Sequence, residues 1–128
     1  MSSKYENIRK QYKRSVQKLQ EVMLEKETEI IRDSAIQRFE FTFELAWKTL
    51  KAYLEENKGE RELFFPKDTF RSAFQAGIID NDPLWLEMVD LRNQTSHVYN
   101  EEMANKVYKR INAFLPKYKK LDDLLPSL

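Results

Sequence analysis

The chain has 128 residues, of which 41% are apolar and 34% charged, with a net charge of +1, two glycines, four prolines and no cysteine. The length suits a single domain spanning 1–128, and the lack of cysteine excludes a disulfide framework, a thiolate metal site and a cysteine nucleophile. So little Gly and Pro leaves few turns, and the near-neutral balance rules out a chain that binds nucleic acid through bulk charge.

Tyr5, Ile8, Tyr12, Val16, Leu19 and Met23 recur at steps of three and four, which predicts a first amphipathic helix over residues 3–25. Thr28 is the expected cap of a second helix, over 29–57. That stretch lacks Gly and Pro and carries an apolar stripe through Ile36, Phe39, Phe43, Trp47 (or Ala46), Leu50 and Leu54. At about 1.5 Å per residue it would be about 42 Å long. Phe41 and Leu45 add a second apolar face, so a second subunit is expected to cover the surplus, with Phe39, Phe43 and Trp47 as interface candidates. Gly59 is the expected left-handed terminator. A short helix is expected over 68–76, capped by Asp68, with Phe70, Ala73 and Phe74 inward and Gly77 as its stop. Asp82-Pro83 signals the start of a fourth helix reaching Ser96. Asn100 caps a fifth, whose stripe is Val107, Ile111, Phe114, Leu115, Tyr118 and Leu121, and which Pro116 should kink or end early. These elements add up to an all-α antiparallel bundle of four long helices and a short one.

Charge is unevenly spread. Residues 1–20 carry six Lys/Arg against Glu6, and residues 105–120 carry six Lys/Arg and no acid. Residues 80–102 carry six acids against Arg92 alone. Solvated helix faces account for this; so would a basic track for phosphates, or complementary patches for a partner. No apolar run approaches the roughly 20 residues that cross a bilayer, and the charged start from Lys4 has no signal-peptide core. The reading is a cytoplasmic protein with no membrane contact.

One segment can carry chemistry: Arg92-Asn93-Gln94-Thr95-Ser96-His97-Val98-Tyr99, which holds the only histidine. One His does not make a zinc site. The chain has no Gly-rich phosphate loop, and Ser96 next to His97 is not a nucleophile–base pair, so neither metal nor cofactor is expected. On a continuous helix Arg92 and His97 would point about 140° apart. They converge only if the helix ends between them. Asn93 lies four residues before His97 and could orient its imidazole. The pair suits cleavage of RNA. A histidine with a pKa near 6.5 can take a proton from a 2′-hydroxyl or give one to the leaving oxygen. An arginine can stabilise charge on the phosphorane. Glu87 and Asp90 are the acids placed to hold the Arg or favour the charged imidazole. The plainer reading is a helix-end Arg and a capping His.

Several pieces of the chain together resemble the nucleotidyltransferase substrate-binding proteins, a family of the HEPN superfamily. They are Arg38-Phe39-Glu40-Phe41-Thr42-Phe43-Glu44-Leu45-Ala46-Trp47-Lys48-Thr49-Leu50-Lys51, then Pro66 with Phe70-Arg71-Ser72-Ala73-Phe74, then Gly77-Ile78-Ile79, Trp85-Leu86-Glu87-Met88, and Arg92-Asn93 with His97-Val98-Tyr99. The resemblance implies a small helical bundle that forms a homodimer or higher oligomer. It implies a metal-independent endoribonuclease toxin with Arg92 and His97 as its R-x4-H pair and Asn93 as the polar residue after the Arg. Its partner and antitoxin would be a minimal nucleotidyltransferase that attaches AMP to Tyr99 and silences cleavage of the RNA substrate. The alternative within the same resemblance is a non-catalytic subunit that presents substrate to that nucleotidyltransferase.

Overall fold

The computed structural model describes residues 3–126 and contains five α-helices, with no strand among the described residues. They are α1 (Lys4–Met23), α2 (Glu29–Lys58), α3 (Pro66–Gln75), α4 (Leu84–Gln94) and α5 (Glu101–Leu124), with a 3₁₀ turn over Thr95–His97 between the last two. Three helices are long and two are short.

The helix ends follow local chemistry. The Thr28 side chain accepts from the Ile31 N–H and starts α2, while Gly59, at φ +66°, ends it. Asn100 accepts from the N–H groups of Glu102 and Met103 and starts α5, and both Glu101 and Glu102 lie in its first turn. Asp82 accepts from the Leu84 N–H at 2.9 Å, with Pro83 already in helical conformation.

Two starts and stops differ from the expectation. α3 begins at Pro66 and not after Asp68, because proline at the first helical position has its φ preset and no N–H to satisfy. Pro116 does not end α5, which continues to Leu124; the packing of Phe114, Tyr118 and Leu121 in the core holds the helix through it. Phe74, expected inward, is 44% exposed.

Long-range pairs fix the directions. Tyr5 meets Tyr53, and Ser15 bonds Thr42 at 2.6 Å, so α1 and α2 run antiparallel. The Tyr5 hydroxyl donates to the Pro126 carbonyl, and Tyr12 to the Tyr118 carbonyl at 2.6 Å, so α1 is antiparallel to α5 as well. Arg9 donates to the carbonyls of Asp122 and Leu125, capping the C-terminal end of α5 with a cation. A run of aromatic contacts crosses the core from Tyr12 through Tyr118, Trp85 and Phe70 to Phe43, joining all five helices.

This core claims two residues expected at a subunit interface. Phe39 and Phe43 are buried inside one chain, Phe39 stacked on Phe114 with ring centroids 5.6 Å apart. They cannot also offer surface to a partner. The uncovered part of α2 is instead Phe41, 55% exposed, beside half-buried Leu45. Trp47 is half-buried, its indole N–H donating to Glu44 Oε2 at 3.3 Å with the Lys51 ammonium over its ring.

Candidate functional site

The segment from Arg92 to Tyr99 spans the junction where α4 stops being an α-helix. Thr95 is the hinge. It is buried, and its hydroxyl donates to the Arg92 carbonyl at 2.7 Å while accepting from Arg92 Nη1 at 3.3 Å. A side chain bonding back to the helix carbonyl competes with the next α-helical turn, and the chain passes into the 3₁₀ turn that carries His97. The helix therefore does end between Arg92 and His97.

Arg92 is held from two sides. Besides Thr95, Glu44 of α2 brings Oε1 to 3.5 Å from Arg92 Nε. That is an ion-pair distance and not a hydrogen bond, so Nε and most other guanidinium donors have no hydrogen-bond partner among the described residues. Glu44 is the organiser, since it also meets Trp47 and lies 3.7 Å from Lys48. The sequence pointed elsewhere. Glu87 is taken by Arg110 of α5, whose bidentate hydrogen bonds hold its carboxyl below the usual range, and Asp90 lies 3.5 Å from Lys67. Glu44 sits 48 residues before Arg92, so spacing could not have revealed it.

His97 faces water. Its ring meets that of Tyr99 edge-on with centroids 6.1 Å apart, and Tyr99 is 84% exposed. Asn93 is exposed as well and makes no hydrogen bond to His97 among the described residues. Nor does a hydrogen bond or ion pair join Arg92 to His97 within one chain. The arrangement is a partly buried guanidinium with spare donors, followed in the chain by a solvent-facing imidazole and phenol. No cluster of three or more His, Cys, Asp or Glu side chains suited to a metal occurs among the described residues, and no described helix is long and apolar enough to cross a membrane.

The chain is an all-helical bundle with Arg92 before a helix break and His97 and Tyr99 after it, and comparison with known proteins shows its family. The chain belongs to the family described as nucleotidyltransferase substrate binding protein like, whose sequence model matches residues 6–127. Among curated proteins it is 39% identical over 84 residues to one named probable ribonuclease HepT from Haemophilus influenzae. The aligned part covers 63% of this chain and 58% of that protein. A crystal structure of a protein from Thermus thermophilus is similar to the chain with a TM-score of 0.75 and 39% identity, covering 88% of this chain and 93% of the other.

Proposed function

We propose that this chain, a single domain over 1–128, is a HEPN-type metal-independent endoribonuclease toxin whose cognate partner is a minimal nucleotidyltransferase. The observation that carries the reading is the break at Thr95. It leaves Arg92 with unused guanidinium donors at the end of α4 and His97 in water just past it. In this reading the RNA 2′-hydroxyl loses its proton and attacks the adjacent phosphorus, and the bond from phosphorus to the 5′-oxygen breaks, leaving a 2′,3′-cyclic phosphate and a protonated 5′-hydroxyl. His97 moves the proton, Arg92 stabilises the charge on the phosphorane, and Asn93 binds beside them. A second copy of the chain faces the first, so that two Arg92/His97 pairs share one cleft. AMP on exposed Tyr99 would place phosphate and bulk against His97 and compete with RNA by charge and shape.

The experiment is an RNA cleavage assay with purified protein whose Tyr99 is shown by mass spectrometry to be unmodified. Wild type cleaves without added metal, and His97→Ala abolishes cleavage while the oligomer and the helical content persist. An unmodified wild type that cleaves no RNA ends the enzymatic reading.

A second reading is favoured by one observation: within one chain Arg92 turns to Glu44 and Thr95 and does not meet His97. The chain would then be a non-catalytic subunit that presents substrate to the nucleotidyltransferase, as the family description suggests. His97→Ala would in that case leave RNA untouched and change only the partner's activity.

A further inference from the structure

The connection between α2 and α3 is built more tightly than a surface loop requires. Glu62 has φ +65°, the only positive φ outside glycine among the described residues, which costs energy unless neighbouring contacts hold it. Leu63, the next residue, is buried and anchors the segment. The two residues after it, Phe64 and Phe65, are turned out, 68% and 67% exposed. Phe65 is nevertheless fixed at its backbone, since its carbonyl accepts from both the N–H and the hydroxyl of Thr69. The result is an exposed aromatic side chain on an anchored backbone.

That ring stands at the edge of a cleft of about 460 Å³ between α3 and α4, lined also by Lys67, Asp68, Arg71, Val89 and Asn93. Asn93 follows Arg92 in the last turn of α4, so the same helix end carries one wall residue of the cleft and one member of the proposed catalytic pair. Its two cations are loosely engaged, Lys67 with Asp90 at 3.5 Å and Arg71 with Asp68 at 3.9 Å, all four side chains well exposed. Such pairs exchange readily for a phosphate, which a guanidinium grips through two parallel hydrogen bonds.

We infer that the α3–α4 cleft is a subsite for one nucleotide of single-stranded RNA next to the cleaved bond, its base stacked on Phe65, its phosphate on Arg71 and Lys67, and Asn93 hydrogen-bonding its base edge. Splayed bases on aromatic faces beside cationic side chains are how single strands are commonly held. A second copy of the chain is the poorer occupant, because three charged side chains line the cleft and a subunit interface would have to desolvate them. The inference rests on the RNase reading.

The test is binding of fluorescein-labelled octauridine RNA to protein carrying His97→Ala, followed by fluorescence anisotropy, alongside cleavage by the same variants with His97 restored. Adding Phe65→Ala weakens binding about tenfold, whereas Phe65→Trp preserves it. Arg71→Gln lowers the slope of log affinity against log salt by about 0.7, one phosphate contact. If unmodified wild type cleaves RNA while Phe65→Ala and Arg71→Gln bind octauridine like the parent, the subsite is wrong and the RNase reading stands. If wild type neither binds nor cleaves RNA, both fall. If unmodified wild type binds octauridine through Phe65 without cleaving it, the RNase reading fails and the subsite beside a cleaved bond fails with it. Light scattering closes the remaining route, since a shift to monomer on Phe65→Ala would assign Phe65 to a subunit contact and overturn the subsite.

Discussion

Glu44, in the middle of α2, lies 3.5 Å from Arg92, in the last turn of α4, and so ties the longest helix of the bundle to the segment that holds its only histidine. Half-exposed ion pairs contribute at most about 1 kcal/mol to stability, so the contact matters more for where the guanidinium points than for whether the fold forms. Under the proposed chemistry, Glu44→Ala lowers kcat for RNA cleavage on the order of 10- to 100-fold, with KM and the melting temperature little changed. Glu44→Gln keeps an acceptor oxygen and recovers part of the loss. Equal activity in wild type and Glu44→Ala would show that Arg92 is positioned by something else.

Thr95 sets the break itself. Thr95→Val removes both hydrogen bonds to Arg92 while keeping the side-chain volume. It is expected to cost about 1 kcal/mol of stability and to slow cleavage strongly, while Thr95→Ser restores both. Urea unfolding and a cleavage time course separate the two effects. A Thr95→Val protein with full activity would mean that the junction forms without the hydroxyl.

Two of the core tyrosines, Tyr12 and Tyr118, have unlike hydroxyls. That of Tyr12 donates to the Tyr118 carbonyl, whereas that of Tyr118 has no partner among the described residues. Tyr12→Phe should therefore cost about 1 kcal/mol, and Tyr118→Phe should be neutral or stabilising, read from urea midpoints at constant slope. Burial raises the pKa of both well above the ordinary value. A raised folded pKa holds its stabilisation below the unfolded value near 10 and loses it as pH rises further. Unfolding should steepen above about pH 10, and less so in the double Phe variant.

Acid acts on the other side. Hydrogen bonds from Lys117 lower the pKa of Asp80 and Asp82, and those from Arg110 lower that of Glu87. A depressed carboxyl contributes fully above its unfolded pKa near 4 and loses that contribution as pH falls through the folded value. The melting temperature should hold from neutrality to about pH 5 and decline below pH 4. Lys117→Met should flatten that decline, and parallel curves for the two proteins would show that the Lys117 pairs add nothing.

Where periodicity and caps speak, the residues alone were enough. Thr28, Gly59 and Asn100 end up where their backbone preferences place them, and the long stripes of α1, α2 and α5 face the core. Asp68 misled because two start signals stood two residues apart, and the conformational constraint of Pro66 outweighed a side-chain cap. Phe39 and Phe43 misled because α2 is apolar on more than one side, and a sequence does not say which side the other helices cover.

The residue types by themselves determined that this chain is helical and that its helices are amphipathic, and they singled out Arg92, Asn93, His97 and Tyr99 as candidates for the proposed chemistry, because those properties depend on local backbone preferences and on side-chain functional groups. Only the tertiary structure decided which acid meets Arg92, which aromatics are spent in the core, and that Phe65 stands over a cleft opening on Asn93. Those are contacts between residues far apart in the chain, and they exist only once packing has chosen which helix faces meet.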